Sequence, residues 1–146
     1  ASTTMSEHGI YAFDAADAEL SLMPMAVRRA LDVGGVHLSL SGWQALSVAE
    51  RRRFVQLGAA EQVDVPAVHA CLQGLQAHTR ASEALVEPAA ALGPSEALRG
   101  VVASGSHLAE RWSLLSALDR YVLSSLARRG KLERLDQALS EILASG

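Results

Sequence analysis

The sequence predicts an all-α protein: a compact helical domain with an internal duplication that gives two pseudo-symmetric helical halves. Three observations support this fold class. Apolar residues recur at three- and four-residue spacing, the composition is rich in Leu and Ala with only 4% aromatic residues, and one block of residues occurs twice. A chain of 146 residues is long enough to bury a core without disulfide or metal crosslinks.

The first half of the chain carries three clear helix starts. They are Pro24, Ser47 with Glu50 as its capping-box partner, and Asp64. The Gly34-Gly35 pair and Gly58 are predicted to end the first two helices, because glycine adopts left-handed C-cap geometry at low cost. Leu38 and Leu40 flank serines, which allows either an extended segment or the approach to a helix. No segment sustains the alternation of a strand.

The second half is predicted to contain one long helix over 107–129, ended by Gly130, and a final helix over 132–143. Its expected buried positions are Leu115, Leu118, Val122, Leu126, Leu132, Leu135, Leu139 and Ile142. We assign residues 1–146 to a single domain. Its parts are an N-terminal arm (1–20), a first half (21–78), an Ala-rich connection (79–93) and a second half (94–146).

The internal repeat is the most informative feature of the sequence. Pro24 lies eleven residues before Gly35 and Pro94 lies eleven before Gly105, and each glycine begins a Gly-X-His-Leu motif. From the following tryptophan onward the two copies match without a gap. The matched pairs are Trp43 and Trp112, Leu46 and Leu115, Ser47 and Ser116, Glu50 and Asp119, Arg51 and Arg120, and Leu57 and Leu126. We interpret the repeated tryptophans as core anchors and the repeated arginines as partners of acids or backbone carbonyls.

Composition and charge restrict the function classes. The formal net charge is -3, from 13 Lys+Arg against 16 Asp+Glu, whereas a nucleic-acid-binding module normally carries a basic surplus. The single cysteine, Cys71, forms no intramolecular disulfide and fits a reducing compartment. No apolar run reaches the roughly 18 residues of a membrane-spanning helix. We therefore expect a cytoplasmic protein with no membrane partner.

Familiar catalytic motifs are not found in the sequence. It contains no Walker loop, no Gly-X-Gly-X-X-Gly and no nucleophile elbow. Its histidines are His8, His37, His69, His78 and His107, and none has the spacing of a metal-binding helix. We expect no catalytic residue, no metal site and no cofactor, and we expect that the protein is not an enzyme.

Three basic clusters are candidates for a docking surface. They are Arg28-Arg29, Arg51-Arg52-Arg53 and Arg128-Arg129-Lys131. The simplest interpretation of each cluster alone is a solvated helix face with local salt bridges. The alternative is a surface that binds an acidic partner or an anionic cofactor. As the candidate partner contact we select the first two clusters, namely Arg28, Arg29, Arg51, Arg52 and Arg53.

Two blocks of the sequence follow a recognisable pattern. The first is Leu20-x-x-Met23-Pro24-Met25-Ala26-Val27-Arg28, followed by Leu31-Asp32, Gly35-Val36, Leu38, Leu40, Trp43, Leu46-Ser47 and Glu50-Arg51. The second holds Trp112, Leu115, Asp119-Arg120-Tyr121, Leu123, Leu126, Arg128 and Ala138-Leu139. Together they resemble the nitrate reductase-associated protein family, whose genes commonly lie beside those for assimilatory nitrate reductase and molybdenum-cofactor synthesis.

The resemblance implies an accessory protein linked to assimilatory nitrate reductase, acting in maturation, molybdenum-cofactor acquisition or electron delivery. The implied partner is nitrate reductase or a molybdenum-cofactor protein. Family members often carry cysteines near the positions of Leu22, Gly34 and Ala59, and their replacement here favours a scaffolding role. Two alternatives stay open. A helical nucleic-acid-binding regulator needs the arginines on one exposed face, and a small-ligand sensor needs a polar pocket between the halves, with His37 and His107 as candidate lining.

Overall fold

Helices form most of the structure, and one small sheet accompanies them. The computed structural model describes residues 9–102 and 107–144. Within these ranges the helices are α1 (Met25–Gly34), α2 (Leu40–Ala45), α3 (Val48–Ala59), α4 (Val65–Cys71), α5 (Glu96–Arg99), α6 (Leu108–Arg111), α7 (Ala117–Arg128) and α8 (Leu132–Ala144), and the strands are β1 (Val36–Leu38) and β2 (Thr79–Ala81). The predicted helical class is confirmed for the bulk of the chain. None of the helices in the described ranges is both long and apolar enough to cross a membrane.

The small sheet corrects the prediction of a purely helical protein. Strand β1 pairs antiparallel with β2, with Val36 opposite Ala81 and Leu38 opposite Thr79. Val36 and Leu38 are buried while His37 between them is exposed, as expected for a strand with one covered face. Three residues are too few for a sustained alternation, so the pattern around Leu38 did not identify a strand.

Two compact units make up the chain, residues 1–86 and residues 87–146. In the first unit α1 packs against α3 and α4, and Ala26, Val27 and Ala30 of α1 have no exposed surface. The start of α1 is tied to the N-terminal arm, because the Asp14 carboxylate accepts a hydrogen bond from the Met25 backbone N–H at 3.1 Å. This bond satisfies one of the donors that a helix N-terminus leaves unpaired.

In the second unit α7 packs against α8 and α5. The predicted long helix over 107–129 is wrong: α6 ends at Arg111, a 3-10 turn follows, and Leu115 is extended (ψ 153°). Ser116 then begins α7 by accepting a hydrogen bond from the Asp119 backbone N–H at 3.1 Å. A serine that satisfies these first donors starts a new helix in a sequence whose apolar spacing looks continuous.

The apolar stripe of α8 is shorter than predicted. Leu135 and Ile142 are buried as expected, and Ala138 between them has no exposed surface. Leu132 is 51% exposed. It is the first residue of α8, and α7, against which α8 packs, has ended at Arg128. Gly105 of the second Gly-X-His-Leu motif, like residues 1–8 of the N-terminal arm, lies outside the described residues.

Candidate partner-binding surfaces

Arg29 is buried inside the first unit, with no exposed surface. Its Nη1 donates to the carbonyls of Gly58, at 2.9 Å, and of Ala60. Its Nη2 donates to the Glu61 carbonyl at 2.9 Å. The last carbonyls of a helix have no partner within the helix. The guanidinium of Arg29 therefore caps the C-terminal end of α3 and ties it to α1.

Arg51 and Arg52 hold a short stretch of backbone, residues 18–21, which we call the strap. Each of its four carbonyls accepts one hydrogen bond from a side chain of α2 or α3. The bonds run from Arg52 Nη2 to Ala18 (3.0 Å), from Arg51 Nη1 to Glu19 (2.7 Å), from Trp43 Nε1 to Leu20 (2.7 Å) and from Gln44 Nε2 to Ser21 (3.4 Å). The half-buried guanidinium groups thus stabilise the strap within their own unit.

The five arginines selected from the sequence fall into two groups. Arg29, Arg51 and Arg52 donate hydrogen bonds to backbone carbonyls of the same unit. Arg28 and Arg53 have exposed side chains. A contact surface built from all five arginines stays a prediction, and Arg28 and Arg53 are the members whose charge faces solvent.

The two tryptophans make the same hydrogen bond, each within its own unit. Trp43 Nε1 donates to the carbonyl of Leu20 at 2.7 Å, and Trp112 Nε1 donates to the carbonyl of Ala89 at 3.2 Å. The acceptor lies 23 residues before the indole in both cases. Trp43 and Trp112 are 0% and 1% exposed, which confirms the prediction that they anchor the cores.

The repeated arginines and serines also occupy matching places. Arg51 Nε and Arg120 Nη1 each donate to the carbonyl of the tryptophan eight residues earlier, at 3.3 Å and 3.5 Å. Ser47 and Ser116 each accept a hydrogen bond from the backbone N–H three residues later, at 3.1 Å. Of the two roles predicted for the repeated arginines, the structure shows the capping of carbonyls.

Glu50 completes the capping box of α3. Its Oε1 accepts a hydrogen bond from the Ser47 backbone N–H at 2.8 Å. This bond, reinforced by the Ser47 hydroxyl, holds the pKa of Glu50 below its ordinary value of 4.5. The carboxylate therefore stabilises the start of α3 mainly in its ionised form.

The capping box predicts a pH-dependent stability. Because the pKa of Glu50 is lower in the folded than in the unfolded chain, its contribution is complete above about pH 4.5 and is lost as the pH falls through the folded value. We expect Glu50→Gln to lower the melting temperature at neutral pH, and we expect this difference from the wild type to shrink in acid. Thermal unfolding followed by circular dichroism across this range measures it. A difference that stays constant with pH would contradict the assignment.

Apolar side chains are exposed on two contacting 3-10 turns of the second unit. The turns are Ala90–Leu92 and Trp112–Leu114. Leu92 is 83% exposed and Leu114 is 81% exposed. Single exposed leucines are ordinary, but two on contacting turns present apolar surface that a partner could cover.

The histidines are distributed among different local environments. His69 Nε2 lies 2.9 Å from the carbonyl of the last residue of α1 and donates to it, while His37 and His107 have exposed side chains. Ser41 Oγ lies 3.4 Å from His78 Nδ1, which is at the long limit of a hydrogen bond. Among residues 9–102 and 107–144, no group of three His, Cys, Asp or Glu residues could hold a metal ion.

Comparison with known proteins now identifies the family. The model of the conserved nitrate reductase-associated protein matches residues 10–142. No curated protein and no solved structure gives a match. The matched range includes the strap, both tryptophans and all five selected arginines, and it confirms the resemblance carried by the two sequence blocks. The chain belongs to the conserved nitrate reductase-associated protein family.

Proposed function

We propose that this protein is a non-catalytic accessory protein that binds nitrate reductase or a protein that supplies its molybdenum cofactor. Bound there, it supports maturation, cofactor acquisition or electron delivery in the cytoplasm. The observation that carries the proposal is the family match over residues 10–142. Exposed Leu92 and Leu114 support a binding role, because covering large apolar side chains with a partner surface is favourable.

Direct binding tests this proposal. The tagged full-length chain is immobilised, and purified assimilatory nitrate reductase from the same organism is passed over it with and without bound molybdenum cofactor. We expect saturable binding of at least one form, with preference for the cofactor-free enzyme if the role is maturation. The protein that supplies the molybdenum cofactor is passed over the same surface in a separate run. Absence of binding to this protein and to both forms of nitrate reductase would overturn the proposal. Nitrate reduction by the isolated chain with an electron donor would overturn the non-catalytic assignment.

We infer that the two units descend from one helical unit by duplication within a single domain. The support is the set of matching hydrogen bonds made by the tryptophans, arginines and capping serines. In this proposal residues 21–78 and 94–146 are the two halves, and residues 79–93 are their connection. An experimental structure tests this history: residues 18–59 and 87–128 should superpose with the same order and hand of helices, and a different hand would contradict it.

A further inference from the structure

The turn between α7 and α8 presents four exposed cations around an exposed leucine. We call residues 128–134 the basic corner; its cations are Arg128, Arg129, Lys131 and Arg134. Leu132 among them is 51% exposed. Gly130 adopts a left-handed conformation (φ 70°), and the Lys131 N–H donates to the Leu126 carbonyl at 3.0 Å. This Schellman-type turn joins the helices directly, so the four cations fall within the seven residues 128–134.

Helix stability accounts for the positive charge at two of these four positions and not at the other two. Arg128 and Arg129 lie at the C-terminal end of α7, where positive charge is favoured by the helix dipole. Lys131 is the N-cap of α8, since its carbonyl accepts the Leu135 N–H at 2.9 Å, and Arg134 lies three residues later. Positive charge is disfavoured at a helix N-terminus, and a lysine side chain accepts no hydrogen bond from the helix donors.

Other helices of the same chain show which residues folding favours at this position. Helices α2, α3, α4, α5 and α7 each begin with a side-chain oxygen that accepts a backbone N–H, from Ser39, Ser47, Asp64, Ser95 and Ser116 respectively. Helices α1 and α6 lack such a cap as well, because their N-cap residues Pro24 and His107 make no side-chain cap hydrogen bond. The missing cap of α8 is therefore not distinctive by itself. The ammonium group of Lys131, however, sets a positive charge against the helix dipole, and a local rule broken without structural gain is typical of a functional position.

The cations of the basic corner are available to a partner. Within the part of the chain that the structure describes, none of the four forms an ion pair with a carboxylate within 4.0 Å. Glu133 is the one acid in the corner, at the first turn of α8. The corner therefore presents net positive charge to solvent, although the whole chain has a formal net charge of -3.

We propose that the basic corner is the surface with which this protein binds an acidic patch on nitrate reductase; the inference rests on the function proposed above. Exposed Leu132 lies between the cations and supplies the apolar contact that protein interfaces place inside a polar rim. A nucleic-acid backbone would use the charge but not the leucine, and the net charge of -3 repels a polyanion. A protein with an acidic surface matches both features.

A cap-restoring variant separates binding from folding. Lys131→Ser with Arg134→Glu gives α8 the same Ser-x-x-Glu capping box that Ser47 and Glu50 form in α3. We expect the melting temperature to rise by about 4 °C and the affinity for purified nitrate reductase to fall about tenfold. The remaining binding should also depend less on salt concentration. If the basic corner had only a structural role, this variant would gain stability without losing affinity.

A matched control carries the same change of charge outside both candidate surfaces. Arg80→Ser with Arg99→Glu alters two exposed arginines, and we expect the affinity to stay within about twofold of the wild type. Arg28→Ser with Arg53→Glu makes the same change in the contact surface predicted from the sequence. If the corner variant binds nitrate reductase as tightly as the wild type, the basic corner is not the binding surface, and the proposed function is unaffected. Lost affinity in the Arg28/Arg53 variant alone would move the contact to the first unit.

Two further outcomes would also overturn the inference. If the wild-type chain binds no form of nitrate reductase, the assignment of the corner fails, whereas the proposed function fails only if the chain also does not bind the protein that supplies the molybdenum cofactor. If the wild type instead retains a DNA duplex at physiological salt and the corner variant releases it, the corner binds nucleic acid rather than an acidic protein. Measuring both probes on the same variants distinguishes these cases.

Discussion

Replacing Arg29 with alanine is expected to lower the free energy of unfolding by about 3–5 kcal/mol. The substitution removes the donors to the carbonyls of Gly58, Ala60 and Glu61. It also empties the space of a side chain that has no exposed surface, so the end of α3 loses both its cap and its packing against α1. Urea denaturation of the full chain, monitored by circular dichroism, measures the loss.

Two neighbouring variants control for charge and position. Arg28→Ala removes the same charge from an exposed site of the same helix and is expected to change stability by no more than about 0.5 kcal/mol. Arg29→Lys keeps the charge, but an ammonium group does not span three carbonyls as a planar guanidinium does. Its stability should lie between those of the wild type and Arg29→Ala. Equal stability of the Arg28→Ala and Arg29→Ala proteins would show that the buried cap contributes nothing.

Helix starts could be predicted from the sequence where they depend on residues within one turn. Ser47 and Asp64 begin α3 and α4 as expected, because an N-cap is decided by a side chain and the backbone donors next to it. The start of α7 at Ser116 was missed, since apolar spacing continues through Leu115 and hides the break. The match between the two sequence blocks does indicate this helix start, because Ser116 corresponds to the N-cap Ser47 and both follow a tryptophan at the same spacing.

The role of each arginine could be predicted only in outline. Arg28 and Arg29 are adjacent, yet one is exposed and the other is buried. Helical spacing gives part of the reason, because Arg29 is four residues after Met25 and three after Ala26, both buried. Its acceptors lie 29 to 32 residues further along the chain, and no local pattern predicts such a pairing.

The basic corner could be recognised only by combining the sequence with the structure. The run Arg128-Arg129-Lys131 is visible in the sequence, but its interpretation as an ordinary solvated face is reasonable there. The structure adds that Lys131 is the N-cap of α8 and that Leu132 is exposed. These two facts separate the corner from Arg29, Arg51 and Arg52, whose bonds to carbonyls are explained by folding.

Gly58→Ala is expected to lower the free energy of unfolding by about 3 kcal/mol or more. Gly58 lies where α3 crosses α1, and a Cβ there would overlap the backbone carbonyl of Ala26. Because the obstacle is backbone, no change of rotamer relieves it, and the two helices have to move apart. The gain of about 1 kcal/mol that alanine gives over glycine inside a helix is too small to offset this. Thermal and urea unfolding of the full chain measure the effect.

Gly100→Ala is the matched control, since Gly100 has right-handed helical backbone angles (φ -70°, ψ -18°) and a Cβ there would lie 3.5 Å from its nearest neighbour. Its stability should be unchanged or higher by up to about 1 kcal/mol. The Gly58 carbonyl is also an acceptor for Arg29, so displacement of α3 weakens that bond. The double variant should therefore lose less unfolding free energy than the sum of the losses from Gly58→Ala and Arg29→Ala. Full additivity would mean that the close crossing and the buried guanidinium stabilise the first unit independently.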